Sequence, residues 1–292
     1  MKQLLILSGK GGTGKTTVAA AFIRLSNAKA YADCDVDAPN LHLLMNRSGK
    51  AERSDYFGMP KAAVDAEKCV ACGLCMQSCR FEAIEAGDVY RIDRFACEGC
   101  GVCALVCPAQ AITMEPAKSG DLMLFRGDTV FSTAQLQMGS GNSGKLVSEV
   151  KKRLFSAAPG APLAVLDGSP GIGCPVIASV SGTDMVLIVA EPSVSGISDM
   201  ERILKTVRIF GTKAAVCVNK YDTNPAMTER IESFCIQNGL PFTGKIPFDP
   251  EAVTAVNRSL TIADIDCAAG RAVKAVYAKT MAILFEESGA AV

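Results

Sequence analysis

The stretch LLILSGKGGTGKTT, residues 4–17, decides the fold of this 292-residue chain. An apolar run through Leu7 leads into Gly9-Lys10-Gly11-Gly12-Thr13-Gly14-Lys15-Thr16, which fits the spacing G-x4-G-K-[S/T] of a phosphate-binding loop. Glycines let the backbone turn tightly, so that successive N–H groups can point at an anion. A helix predicted over residues 17–25 would add the positive end of its dipole. The stretch therefore predicts a strand, a phosphate loop and a helix, in that order.

The residues of this loop have distinct expected roles. Lys15 would pair with β- and γ-phosphate oxygens, and the Thr16 hydroxyl would ligate Mg²⁺. The residues expected to bind ATP or ADP here are Gly11, Gly12, Thr13, Gly14, Lys15, Thr16 and Thr17.

Composition narrows the possible partners. The chain has 30 basic and 30 acidic residues, which argues against nucleic acid as an obligate partner. Its apolar runs are too short for a membrane-spanning helix or a signal peptide, and residues 282–292 lack a basic amphipathic pattern. We therefore expect a cytoplasmic protein without a membrane partner. Thirteen cysteines in such a protein indicate metal binding rather than disulfides.

An internal repeat occupies residues 65–115. The second copy follows the first by 28 residues, so that Cys69 aligns with Cys97 and Ile84 with Ile112. Each copy carries the spacing C-x2-C-x2-C-x3-C, and Pro108 follows the second. Arg80 stands after the first copy, where proline is usual. The cysteines are Cys69, Cys72, Cys75 and Cys79 in the first copy, and Cys97, Cys100, Cys103 and Cys107 in the second.

This spacing is that of bacterial two-cluster ferredoxins, in which the fourth cysteine of each run ligates the other cluster. One 4Fe-4S cluster is then expected on Cys69, Cys72, Cys75 and Cys107, and the other on Cys97, Cys100, Cys103 and Cys79. Zinc is the alternative metal. We predict an inserted α+β ferredoxin domain at residues 61–117, which interrupts an ATPase domain formed by residues 1–60 and 118–292.

After the insert, the glycine-rich segment 139–145 (GSGNSGK) precedes a predicted helix over 145–155. It lacks the phosphate-loop spacing, and Leu146 replaces the metal-binding hydroxyl. We interpret it as a glycine turn before a helix or as a partner-facing loop, in preference to a second phosphate site. Apolar strands then alternate with helices to the end of the chain, which predicts an α/β fold with a mostly parallel, doubly wound sheet.

Several motifs resemble the MinD/ParA/Mrp and nitrogenase iron-protein ATPases, which are P-loop NTPases of the SIMIBI type. KGGTGKTT resembles their deviant Walker A, whose extra lysine, here Lys10, reaches the nucleotide of the partner subunit. The segment DCDVDAPN resembles their switch I. By that resemblance Asp35 positions or deprotonates the attacking water, and Asp33 supports the magnesium shell.

Two further segments extend this resemblance. The strand 161–166 ending in Asp167, followed by GSPGIG, resembles Walker B and switch II, with Asp167 holding a magnesium-bound water. The pair Asn219-Lys220 resembles the strand-end N-[K/R] motif, in which the asparagine contacts adenine. The resemblance implies an ATPase that works as a homodimer, or as a heterodimer with a related chain.

Cys174, seven residues after Asp167, lies at the offset at which the nitrogenase iron protein ligates a cluster shared by two subunits. It is either a metal site at the dimer axis or a small buried apolar residue that begins a helix.

Three functions follow from the combined motifs. ATP-gated electron delivery through the two clusters to a partner metalloprotein is the first, and assembly or carriage of a metal–sulfur cluster is the alternative. A MinD-like positioning ATPase is the second alternative.

Overall fold

A computed structural model describes residues 1–45 and 50–286. Residues 287–292, part of the C-terminal stretch considered above, lie outside this range. Within the described range no helix is both long and apolar enough to span a membrane.

The strands, in chain order, are β1 (Lys2–Leu7), β2 (Ala30–Asp33), β3 (Glu52–Phe57), β4 (Lys61–Val64), β5 (Ile84–Glu85), β6 (Arg91–Ile92), β7 (Ile112–Glu115), β8 (Lys118–Phe125), β9 (Val130–Leu136), β10 (Leu163–Asp167), β11 (Met185–Ala190), β12 (Lys213–Asn219) and β13 (Phe242–Ile246). The helices are α1 (Lys15–Ser26), α2 (Leu41–Leu44), α3 (Leu74–Ser78), α4 (Val102–Leu105), α5 (Ser143–Ala157), α6 (Cys174–Val180), α7 (Val194–Ile209), α8 (Pro225–Gln237), α9 (Glu251–Asn257) and α10 (Ala268–Phe285).

Nine strands form one sheet in the order β13-β12-β11-β1-β10-β2-β9-β8-β3. Neighbours from β13 to β9 are parallel, whereas β8 runs antiparallel to both β9 and β3. The predicted mostly parallel sheet is therefore confirmed. The antiparallel edge was not predicted, because β3 and β8 carry many charged residues that mask their strand pattern.

Both faces of this sheet are covered. Alternate residues of β1 face opposite sides, since Leu5 belongs to the same buried cluster as Val150 of α5 and Leu204 of α7. Leu4 belongs to the other cluster, with Phe22 of α1 and Val276 of α10. Such burial on both faces explains why β1 reads as a continuous apolar run. The first helix begins at Lys15, two residues before its predicted start.

Residues 61–115 form two small sheets of their own, β4 paired with β7 and β5 paired with β6. Their buried side chains form a separate apolar cluster that contains Cys75, Cys97 and Cys103. The chain leaves the large sheet after β3 and returns to it with β8, which pairs with β3.

Candidate functional site

The phosphate loop lies at the carboxyl end of β1, between β10 and β11. Gly14 has a left-handed backbone conformation with φ of 89°, and a Cβ atom there would overlap the Asn219 side chain. Asn219 Nδ2 donates to the Thr13 carbonyl oxygen at 2.7 Å, and Lys220 Nζ donates to that of Gly12 at 2.8 Å. The end of β12 therefore holds the loop in shape, which explains why glycine is needed at position 14.

A cleft extends from this loop in two directions. One end contains the loop residues together with Asp35, Asn40 and Pro170. The other end contains Asn219, Phe248 and Val253 beside Gly12 and Gly14. The predicted phosphate-binding residues and the predicted base-contacting asparagine thus line two adjoining cavities that share Gly12, Gly14 and Thr17.

Two carboxylates stand side by side at the base of the cleft. Asp33 ends β2 and Asp167 ends β10, and these two residues are paired in the sheet register. Lys15 Nζ lies 2.6 Å from Asp167 Oδ1, and all three side chains are buried. Burial and the negative charge of Asp167 raise the pKa of Asp33 to about 7. Burial alone would lower the pKa of Lys15, but the charge and hydrogen bond of Asp167 outweigh it and raise that pKa.

Asp33 also organises the loop that carries Asp35. Its carboxylate accepts backbone hydrogen bonds from Asp35 at 3.0 Å, Asn40 at 2.8 Å and Leu41 at 2.9 Å. Asp35 itself is half-buried and reaches the cleft, and burial raises its pKa. Asp33 is thus tied to the loop, while Asp35 is available to face a ligand.

The described part of the chain leaves two buried polar atoms here without a hydrogen-bond partner, Thr13 Oγ1 and Asp167 Oδ2. An unsatisfied buried polar atom costs about 1–3 kcal/mol. These atoms therefore fit a site that a magnesium–nucleotide ligand completes.

Lys10 lines the phosphate cavity, and its ammonium group is paired with residues that follow β11. Its Nζ atom lies 2.8 Å from Glu191 Oε2 and 3.5 Å from Ser195 Oγ at the start of α7. The sequence analysis assigned no role to Glu191, which directly follows β11. The sequence analysis also missed the contact of Lys220 with the phosphate loop. The position of Lys220 directly after Asn219 was the one feature of the sequence that could have indicated it.

Two small cavities in residues 61–115 are lined by the repeat cysteines. Cys69, Cys72, Cys75 and Cys107 line the first cavity, and Cys79, Cys97, Cys100 and Cys103 line the second. Each cavity thus receives three cysteines from one copy of the repeat and one from the other. All thirteen cysteines of the chain are at described positions, and each is a free thiol. Burial raises the pKa of Cys75 and Cys103.

Across residues 1–45 and 50–286, no group of three or more His, Cys, Asp or Glu side chains is arranged to hold a metal ion. This finding holds for the two cysteine quartets and for Cys174 alike. Cys174 begins α6, as expected for a residue before Pro175, but it is exposed, so its interpretation as a buried apolar residue is wrong.

The strand, glycine loop and helix, with Lys15 and the two strand-end aspartates below them, define a P-loop nucleotide-binding protein. The profile described as "CobQ/CobB/MinD/ParA nucleotide binding domain" matches residues 4–262. The chain belongs to this family, and its predicted resemblance to the MinD/ParA ATPases is confirmed.

Individual proteins agree with this assignment. The chain is 30% identical over 282 residues, 95% of both sequences, to the uncharacterized protein MJ0578 of Methanocaldococcus jannaschii. Among solved structures it resembles the MinD cell division protein of Aquifex aeolicus, with a TM-score of 0.54, 19% identity and coverage of 96% and 97%. It also resembles MinD of Pyrococcus horikoshii in complex with Mg-ADP, with a TM-score of 0.56, 15% identity and coverage of 98% and 99%. At these identities the two structures establish the fold alone.

Proposed function

We propose that this protein hydrolyses ATP and couples a nucleotide-driven dimer switch to electron transfer through two 4Fe-4S clusters. The observation that carries the proposal is the composition of the two cysteine-lined cavities. Each holds four thiols, and the fourth thiol crosses over from the other copy of the repeat, as in two-cluster ferredoxins. A family nucleotide site and two such thiol quartets on one chain support a redox function driven by ATP.

The nucleotide half of the proposal assigns a role to each residue of the cleft. Lys15 and the amides of residues 11–14 bind the phosphates, and Thr17 lies beside them. Thr16 and Asp167 hold Mg²⁺ with the support of Asp33. Asp35 orients the attacking water, and Asn219 contacts the base. Lys10 contacts the nucleotide of the partner subunit once its ion pair with Glu191 is broken.

The redox half assigns residues 61–117 to an inserted ferredoxin domain and the remainder to the ATPase domain. The two small sheets and the separate apolar cluster support this division. When bound, each cluster would accept and release single electrons. The cysteines would hold the clusters, and the apolar side chains around them would limit access of water.

Cys174 is a further candidate ligand within this proposal. It is exposed at the start of α6, on the segment that follows Asp167. Two copies of Cys174 would supply only two thiolates, so a metal at the dimer axis would need ligands from a partner. If the Cys174→Ala variant keeps full partner-coupled transfer, this site is excluded while the two cysteine quartets are not.

Two alternatives share the same nucleotide site. The protein would hand over a metal–sulfur cluster to a partner, or it would position cargo as a MinD-like ATPase. The second alternative has the support of the fold, because the solved structures described above are MinD proteins. The cysteine quartets favour the redox interpretation, since positioning requires no thiol-lined cavities.

Anaerobic reconstitution followed by iron analysis and electron paramagnetic resonance tests the proposal. We expect about eight irons per chain, from two four-iron clusters. ATP should then accelerate oxidation of the reduced protein by a partner that co-purifies from its native cells. Absence of iron would remove the redox function and leave the positioning alternative. Iron release to the partner, instead of electron transfer, would identify cluster assembly.

A further inference from the structure

The glycine loop, which we define as residues 138–144, lies between the cysteine-rich insert and the start of α6. Cβ atoms placed on Gly139 and Gly141 would lie 3.4 Å from Phe95 Cδ1 and 3.4 Å from Glu98 Oε2. A Cβ atom on Gly144 would lie only 3.0 Å from the carbonyl oxygen of Cys174. The loop therefore lies close to the insert at one end and against α6 at the other.

The insert residues in this contact belong to the second cysteine turn, which we define as residues 95–100. This turn is also held from its other side. Lys61 Nζ donates to the Cys97 carbonyl oxygen, and a Cβ atom on Gly99 would overlap the carbonyl oxygen of Pro60. The turn thus lies between the glycine loop and the start of the insert, and its backbone is in contact with Pro60 and Lys61 while Phe95 and Glu98 stay exposed.

From the glycine loop the contacts continue to the nucleotide site. The connecting segment, residues 168–173, joins Asp167 to Cys174. Ser169 Oγ donates to the Cys34 carbonyl oxygen at 2.7 Å, and the Gly171 amide donates to that of Ser8 at 3.0 Å. A change in the phosphate loop or beside Asp33 therefore acts on the segment that positions α6.

A buried lysine joins helices α5 and α6. Lys151 Nζ, on α5, donates to the Ser179 and Ser181 carbonyl oxygens at 2.7 and 2.6 Å, at the end of α6. Gly144 packs against the beginning of α6 at the same time. We therefore expect a displacement of α6 to act on α5 and on the preceding glycine loop.

We propose that the nucleotide site controls the second cysteine quartet alone, through α6, the glycine loop and the second cysteine turn. The internal repeat makes the asymmetry explicit. In the first copy the positions equivalent to Phe95 and Glu98 are Glu67 and Val70, so the aromatic ring and the carboxylate beside the glycine loop are not repeated there. This inference rests on the proposed function for its redox consequence. The contact of the glycine loop with the second cysteine turn, however, is made by protein atoms alone.

Hydrogen exchange of the metal-free and the reconstituted full-length protein tests this coupling. On addition of MgATP, amides of residues 95–100 should change their exchange rate by about fivefold or more, within the range of typical allosteric coupling. Amides of residues 67–72 should not change. Equal change in both turns, or no change in residues 95–100, would overturn the inference.

A pair of double variants provides the matched control. Phe95→Ala/Glu98→Ala should abolish the MgATP effect on residues 95–100, whereas Glu67→Ala/Val70→Ala should preserve it. Because coupling between binding sites is reciprocal, iron loading should also change the dissociation constant for MgATP in the wild type and in the control pair, but not in Phe95→Ala/Glu98→Ala. Loss of coupling in both pairs would show that the glycine loop is not the route.

The two hypotheses fail in different ways. If iron does not bind, the proposed redox function fails, while the exchange response of the metal-free protein still decides the coupling. If eight irons bind and MgATP does not change the exchange rates of residues 95–100, the coupling fails while the redox function stands.

Discussion

Lys15 Nζ and Asp167 Oδ1 lie 2.6 Å apart at the base of the phosphate loop, and both side chains are buried. The lysine that should neutralise a phosphate is therefore paired with the carboxylate that should support Mg²⁺. Asp167 still has one buried oxygen, Oδ2, with no partner in the described part of the chain. Ligand binding must exchange this internal ion pair for separate contacts of Lys15 with phosphate and of Asp167 with the metal shell.

Replacement of Lys15 by alanine should have two separable effects. MgATP affinity should fall about tenfold to a hundredfold, because a charge-assisted hydrogen bond contributes about 1.5–3 kcal/mol. The ligand-free protein should also lose about 3–5 kcal/mol of unfolding free energy, since Asp167 stays buried without its partner. Calorimetric titration and urea unfolding measure the two effects.

Lys15→Ala/Asp167→Asn is the control for the stability effect. The double variant should regain most of the unfolding free energy and still bind MgATP weakly. If the single variant is as stable as the wild type, the ion pair is not the main interaction of these groups.

Asp35→Ala should separate binding from hydrolysis. Asp35 reaches the cleft, and within the described residues the ion pair of Lys15 is with Asp167 rather than with Asp35, so MgATP affinity should stay within about threefold of the wild type. Turnover should fall by about a hundredfold or more, the usual range for loss of a general base. Asp37→Ala, at an exposed position two residues further on, should hydrolyse ATP normally. Equal loss of binding and turnover in Asp35→Ala would exclude the water-positioning role.

The ion pair of Lys10 with Glu191, at 2.8 Å, holds the second loop lysine within its own subunit. Glu191→Gln should release it and lower the dimer dissociation constant about two- to fivefold, since an exposed pair contributes about 0.2–1 kcal/mol. Lys10→Ala should bind MgATP but not dimerise. Sedimentation in the Asp35→Ala background, which retains ATP, measures both. Unchanged dimerisation of Lys10→Ala would contradict a role across the interface.

The sequence was sufficient for the parts of the fold whose signals are local. The phosphate loop, the strands that end in Asp33 and Asp167, and the later strands and helices all have apolar periodicity or fixed motif spacing. The strands β3 and β8 were missed, because Glu52, Asp55 and Asp121 interrupt that periodicity. Their pairing across 61 or more residues depends on where the chain returns to the large sheet, which no local pattern reveals.

The site was predictable residue by residue, but its internal contacts were not. Motif spacing identifies Lys10, Lys15 and the cysteines, yet it does not reveal that Lys10 pairs with Glu191. That contact joins residues far apart in the chain. The burial of Lys151 was equally hidden, because a lysine on an amphipathic helix is usually solvated.

The crossed arrangement of the thiols predicts which cluster a single substitution removes. Cys79 lines the cavity with Cys97, Cys100 and Cys103, although it belongs to the first copy of the repeat. Cys79→Ser should therefore perturb the cluster of the second copy and leave the other spectroscopically intact. Iron content should fall by about four atoms per chain at most.

Cys107→Ser is the matched variant for the first cavity, where Cys107 joins the three cysteines of the first copy. It should perturb the complementary electron paramagnetic resonance signal. If each variant instead perturbs the cluster of its own copy, the ligands do not cross over.

Lys151 tests whether the α5–α6 pair is held by its buried ammonium group. Lys151→Met keeps a long apolar side chain but leaves the Ser179 and Ser181 carbonyl oxygens without their donor, which should cost about 1–3 kcal/mol of unfolding free energy. The pH dependence gives a second signature. Burial lowers the pKa of Lys151 below its ordinary value of 10.5, so between the lowered pKa and 10.5 the unfolded chain binds more protons than the folded one.

Over that interval the unfolding free energy of the wild type should rise with pH relative to Lys151→Met, and below it the difference should be constant. Lys152→Met, at the neighbouring exposed position, should change neither the stability nor its pH dependence. Urea unfolding from neutral pH towards pH 10.5 measures all three proteins. Identical behaviour of the two variants would mean that Lys151 does not fasten α5 to α6, and the glycine loop would then move without α6.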